Sequence, residues 1–183
     1  KDSQTLYQKF SFIKSVIGTD EFSEAIHRIV AQPVTRWTEI SAERDIRNAR
    51  RFSNASLKEI LKGGNRIKLA GSHPLKRYGL DSLPDRIASS RKVDSVDTPE
   101  NRFIKHALET FLKFCSDIKD KAIEYNHVQL ERESESLIRE LESQLHHSIF
   151  REVSRPATLK LNSPVLQRKE GYREVLRVWL MFD

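Results

Sequence analysis

The chain has 183 residues, enough for one ordinary domain of ~100–200 residues or two small ones, and too few for a large multidomain enzyme. Charged residues make up 32%, apolar residues 38% and aromatic residues 8%, with only six Gly and six Pro, a balance that fits a helix-rich, well-solvated protein and disfavours a turn-rich β-sandwich. A single cysteine, Cys115, excludes an internal disulfide. No run of ~18 apolar residues and no cationic-plus-apolar leader occurs, so a cytoplasmic setting without membrane contact is expected. The formal net charge of +6 is unevenly spread: residues 1–97 carry 18 Lys and Arg against 12 Asp and Glu, while residues 98–183 carry 14 against 14. A basic half beside a neutral half makes phosphate or an acidic protein surface a reasonable partner for the first half. Because the chain opens on Lys1 rather than Met, it reads as a piece of something longer.

Leu6, Phe10, Ile13, Val16 and Ile17 recur at helical spacing and stop at Gly18, a suitable C-cap. Thr19 and Asp20 open a second helix with the stripe Phe22, Ile26, Ile29 and Val30, closed by Pro33, so the first two helices are expected to form an antiparallel hairpin. Ser41 with Glu43 and Arg44 begins a third candidate helix, and Leu57, Ile60 and Leu61 precede the breaker pair Gly63-Gly64. Residues 65–97, punctuated by Pro74, Gly79 and Pro84, read as a connector with two short extended candidates, Arg66–Ala70 and Arg86–Val96.

Thr98-Pro99-Glu100 is a strong helix start: a hydroxyl at the N-cap, Pro at the first position and an acid against the helix dipole. The apolar face from Phe103 and Ile104 through Phe111, Leu112, Cys115 and Ile118 to Ala122 and Ile123 predicts a long helix. Asn126–Ser136 loses that face and Leu137, Ile138, Leu141, Leu145 and Ile149 recover it, which allows either two helices or one with a solvated middle. The last helix starts near Ser163-Pro164 or Gly171 and stacks Tyr172, Val175, Leu176, Trp179 and Leu180. The expected fold is therefore mainly α: a basic N-terminal helical part over residues 1–97, with its extended connector at 65–97, and a long-helix bundle over 98–183 with only a small β or irregular element.

On the expected third helix, Arg44, Arg47 and Arg51 fall at i, i+3 and i+7 with Arg50 beside them, a row that can grip successive phosphates. The plainer reading is a solvated face paired with Glu43 and Asp45. No aromatic residues interleave with the row, so base stacking is not expected there. The six histidines do not form a chelating pattern, since the adjacent His146 and His147 point ~100° apart on a helix. Cys115 sits in an apolar stripe and reads as core. A metal-dependent nuclease needs an acid followed by Asp/Glu-x-Lys on a strand; Pro84-Asp85 can begin such a pattern, but the next Asp-x-Lys, Asp117-Ile118-Lys119, lies inside the long helix.

The stretch Asp97-Thr98-Pro99-Glu100-Asn101-Arg102-Phe103-Ile104-Lys105 resembles a motif of McrC-like proteins from modification-dependent restriction systems, in the uncharacterised domain that precedes their PD-(D/E)XK nuclease domain. Tyr7 to Trp37 and Ser163-Pro164-Val165-Leu166-Gln167-Arg168 with Gly171-Tyr172 fit the same order, so the resemblance spans nearly the whole chain. It implies a bacterial or archaeal defence protein that works with an AAA+ GTPase or ATPase subunit on invading or modified DNA. In that family the catalytic acids and Lys, with their Mg2+, follow the Ser-Pro-x-Leu-Gln-Arg helix, and this chain ends before any such segment; it is therefore expected to be a non-catalytic module that engages DNA or the NTPase, with no catalytic or metal-binding residue of its own. A structural adaptor that binds a partner protein is the alternative. Within the motif, Glu100 is either a catalytic carboxylate or part of an architectural cluster in which Asp97 and Glu100 complement the helix dipole and free amides while Asn101 and Arg102 reach back to tie the connector or the final helix in place; the second is favoured because acids at helix starts need no catalytic explanation.

Overall fold

The computed structural model describes residues 2–45, 58, 60–62 and 64–182. The chain divides into two compact units, Lys1–Arg36 together with Ser95–Asp183, and Trp37–Asp94. The first is helical. It comprises α1 (Asp2–Ile17), α2 (Asp20–Ala31), α3 (Pro99–Glu124), α4 (Val128–Leu145) and the shorter α5 (Ser148–Glu152), α6 (Pro164–Arg168) and α7 (Tyr172–Phe182). One division, between Asp94 and Ser95, falls beside the boundary expected at residue 97, and the other, between Arg36 and Trp37, separates α1 and α2 from the second unit. The apolar stripes of α1 and α2 find their cover on α3, α4 and α7, so both helices belong with the C-terminal bundle.

The two helix starts follow from their capping hydroxyls. Thr19 Oγ1 accepts the Phe22 amide at 3.4 Å, and Thr98 Oγ1 accepts the Asn101 amide at 3.2 Å, each satisfying a donor that has no partner inside its own helix. At 26 residues, α3 extends about 39 Å. It stops at Glu124, and the chain reverses through Tyr125, Asn126 and His127, with Asn126 in the left-handed region at φ 55°. His127 Nδ1 then accepts the Leu130 amide at 3.2 Å and caps α4. The polar stretch after Asn126 is therefore the start of a second helix, and α4 packs back along α3, with Lys119 and Glu135 3.8 Å apart across the pair. Lys14 of α1 meets Glu133 of α4 at 2.9 Å.

One contiguous core joins these helices: Phe10 and Ile13 of α1, Ile26 and Ile29 of α2, Leu108 and Phe111 of α3, Leu141 of α4, and Trp179 of α7. Cys115 lies within it, and burial pushes its thiol up to about 12, which suits packing and not nucleophilic chemistry. Two expected core positions are on the surface. Leu180 is 61% exposed and Ile123 50%, because at 3.6 residues per turn the buried face of α7 runs through Val178, Trp179 and Phe182, and that of α3 ends at Ala122. Leu112 is only half-buried against the core.

Gly171, just before α7, shows how closely the elements approach. Its φ is +85°, and a Cβ there would lie 2.7 Å from the Ala25 carbonyl oxygen and 3.0 Å from Ile29 Cγ1. Both conditions require glycine. Gly171→Ala is expected to cost about 2–4 kcal/mol, combining left-handed strain with an overpacked contact, and urea unfolding measures it; a loss below about 0.5 kcal/mol contradicts this packing.

The second unit, Trp37–Asp94, contains short strands. β1 (Arg36–Asp45) pairs with β4 (Arg86–Ser95), and β2 (Arg66–Lys68) runs antiparallel to β3 (Ser82–Pro84) with Ile67 opposite Leu83. Arg66 fixes the second pair, its Nε donating to Ser82 Oγ and its Nη2 to the Ser82 carbonyl, both at 2.8 Å. A 3-10 turn, Pro74–Tyr78, lies between β2 and β3, followed by Gly79 at φ 78°. The extended candidates at 66 and 86 are strands; of the helical region expected from Ser41 to Leu61, residues 41–45 instead continue β1, residues 46–57 lie outside the described residues, and Ile60 and Leu61 are helical as expected. Charge follows this division. Trp37–Asp94 holds 13 Lys and Arg against 7 Asp and Glu, net +6, and the helical unit holds 19 against 19.

Candidate functional site

The motif at residues 97–105 becomes a clamp at the N-terminus of α3. Asn101 is fully buried at its centre. Its Nδ2 donates to the Val34 carbonyl at 2.9 Å and to the Val96 carbonyl at 2.7 Å, and its Oδ1 accepts the Tyr172 hydroxyl at 2.6 Å. The Tyr172 oxygen in turn accepts the Val34 amide at 2.9 Å, so the ring of hydrogen bonds is closed. Burial is the main cause that pushes the Tyr172 hydroxyl up to about 12, keeping it a donor to Asn101 at all ordinary pH. Val34 and Val96 are the segments through which the chain leaves the helical unit and returns to it, and one amide group holds both.

Around that centre, Asp97 and Arg102 form a two-pronged pair, Nε to Oδ1 and Nη2 to Oδ2, each 2.7 Å. The same carboxylate accepts the Ser154 amide and hydroxyl, both at 3.0 Å. Lys105 donates to the neighbouring Val153 carbonyl at 2.8 Å, and Glu100 accepts the Ser163 hydroxyl at 2.6 Å. Lys169 completes the surround, its ammonium 2.7 Å from the Gln32 carbonyl and 5.2 Å from the centre of the Tyr172 ring. The motif thus holds residues 34, 96, 153, 154, 163 and 172, six positions scattered along the chain, in one place.

Hydrogen bonds from Arg102 hold the Asp97 carboxyl well below its ordinary 3.8; burial opposes this, and the Ser154 amide and hydroxyl reinforce it. A folded-state value below the unfolded one means the pair stabilises the fold above the ordinary carboxylate range and loses that contribution as the pH falls through and below it. Asp97→Asn is expected to destabilise by about 1–3 kcal/mol at about pH 7, with the gap to the parent narrowing toward about pH 2 because the unfolded parent takes up a proton at Asp97 that the folded ion pair does not. Urea unfolding at both pH values checks this, and a gap that widens in acid contradicts the assignment.

Of the residues singled out for nucleic acid, Arg44 falls on strand β1, where the helical i, i+3, i+7 argument does not apply. Arg47, Arg50 and Arg51 lie outside the described residues. Asp117 and Lys119 lie on α3 and form ion pairs with Lys113 at 3.0 Å and Glu135 at 3.8 Å. Among the described residues no group of three or more His, Cys, Asp or Glu side chains is placed to hold a metal ion, and no helix is long and apolar enough to cross a membrane. The expectation that Asn101 ties the connector and the final helix holds, through Val96 and Tyr172, whereas Arg102 turns to Asp97; sequence reasoning missed Ser154 and Val34 as partners.

No curated protein and no solved structure matches the chain. A family model, described as a domain of unknown function (DUF2357), matches residues 1–179, almost the entire length, and the chain belongs to that family.

Proposed function

We propose that this chain is a non-catalytic helical module of a McrC-like restriction or defence nuclease, which engages DNA, its AAA+ NTPase partner, or both, while cleavage and its Mg2+ belong to a PD-(D/E)XK nuclease domain. The observation that carries this reading is the use of the motif. Every polar side chain of Asp97-Thr98-Pro99-Glu100-Asn101-Arg102 is engaged within the fold, and Glu100 faces a serine hydroxyl. That is the behaviour of a scaffold. A second reading, an adaptor bundle that binds a partner protein, draws support from an apolar recess of about 510 Å3 lined by Leu6, Tyr7, Phe10, Ile118, Tyr125 and Leu130.

The test is a gel shift of the chain with duplex DNA at about 50 and 200 mM salt, because phosphate contacts weaken steeply with ionic strength. Changing Arg44, Arg47 and Arg51 together to Gln is expected to weaken binding and flatten the salt dependence by about three in log–log slope. Salt-insensitive or absent DNA binding favours the adaptor. Unchanged binding by the triple variant moves the contact to other basic residues.

A further inference from the structure

We infer that the described residues of the second unit form a binding surface for single-stranded nucleic acid, with Trp37 and Tyr78 as stacking platforms for unpaired bases. This deepens the DNA-engaging reading above and rests on it. The first observation is the charge partition: all of the +6 excess falls on Trp37–Asp94 and none on the helical unit. Lys62, Lys68, Lys76, Arg77, Arg86 and Lys92 of this unit are exposed. Such a concentration of positive charge on a small β-containing unit complements a phosphate backbone.

The second observation is independent of charge. Trp37 is 74% exposed on β1, and Tyr78 is 80% exposed at the end of the 3-10 turn. Large aromatic rings left this open forfeit the burial that normally stabilises them. Trp37 faces a cation, and Tyr78 follows two cationic residues in the chain. The Lys92 ammonium lies 5.6 Å from the centre of the Trp37 ring, which orients the indole and sets a charge beside it. Tyr78 follows Lys76 and Arg77 directly, and Gly79, whose amide donates to the Lys76 carbonyl at 3.1 Å, turns the chain immediately after it. An exposed ring beside an ammonium offers a base its face and the adjoining phosphate a counter-charge. A duplex keeps its base faces stacked inside, so only an unpaired strand uses the rings.

Tryptophan fluorescence reports on this directly, because the chain has two tryptophans and the other, Trp179, is buried. The full chain is titrated with a thymidine oligonucleotide of about 20 nucleotides and with a duplex of equal length, at about 50 and 200 mM salt. The expected result is salt-sensitive quenching by the single strand and tighter binding of it than of the duplex. Trp37→Ala is expected to weaken single-strand binding about tenfold, and Trp37→Ala with Tyr78→Ala about a hundredfold, with duplex affinity little changed and Trp37→Phe largely restoring the single variant. Both side chains are exposed, so melting temperatures are expected to match the parent. Duplex binding equal to or tighter than single-strand binding, or a double variant that binds the single strand like the parent, overturns this inference and leaves the general DNA-engaging reading standing. No binding of either nucleic acid overturns both.

Discussion

Asn101→Asp is expected to cost about 4 kcal/mol or more and to leave the chain largely unfolded at physiological temperature. The substitution removes the two N–H donors that face the Val34 and Val96 carbonyls and sets carboxylate oxygen against carbonyl oxygen in a fully buried site, where an unpaired or repelled polar group costs several kcal/mol. Asn101→Ala leaves the two carbonyls and the Tyr172 hydroxyl without their partner but adds no repulsion, so about 3 kcal/mol is expected. Tyr172→Phe removes one hydroxyl while Asn101 keeps both carbonyls, and about 1–2 kcal/mol is expected. The order of the three losses, measured by urea unfolding, is the diagnostic. A Tyr172→Phe loss larger than that of Asn101→Asp would show that the phenol, not the amide, carries the clamp.

The second large effect lies in the core. Phe111 is fully buried and meets the Phe182 ring edge-on at 5.2 Å and the Trp179 ring at 6.1 Å. Trp179 in turn meets Phe103 at 5.7 Å and His106 at 5.5 Å. Phe111→Ala empties the meeting point of α3 and α7, and about 3–5 kcal/mol is expected, as for other buried aromatics truncated in place. For a chain of this size that corresponds to a fall of roughly 10 °C or more in melting temperature. Trp179→Ala is expected to fall in the same range, and the double variant to lose less than the sum, since the two rings share one contact. A melting temperature within about a degree of the parent for either single variant contradicts the helix register.

What the sequence made legible was local chemistry. The stripe of Phe10, Ile13, Phe22, Ile26 and Phe111 reflects the 3.6-residue period, and all five are buried. Thr19 and Thr98 announce their helices by hydroxyl position, and both cap as expected. The misreading at Ser41 has a physical reason: Glu43-Arg44-Asp45 carries ordinary helix-start chemistry, while the partner that makes it a strand, β4, begins at Arg86, and strand preference depends on such remote neighbours. The charge pattern was visible as a basic N-terminal half, but its location in Trp37–Asp94 emerges only when α1 and α2 are seen to fold with the C-terminal helices. For the motif, the polar composition of Asp97–Arg102 and the tie from Asn101 to the connector and final helix were legible, but the individual partners Ser154, Ser163 and Tyr172 were not, because they lie 57, 63 and 71 positions away.

The amide of Val34 donates to the Tyr172 hydroxyl across 138 positions, and the direction of protein synthesis gives that distance a cost in time. At about 5–20 residues per second, roughly 7–28 s separate the emergence of α2 from that of its partner on α7. For that interval Ile26 and Ile29, fully shielded in the finished fold, have no α7 to cover them, and the hairpin of α1 and α2 must stay soluble with its apolar face uncovered. The helical unit therefore completes its core only when its last helix has been made. Among the described residues the strands of the second unit pair with one another, so all of its strand partners have been synthesised before α3 begins at Pro99.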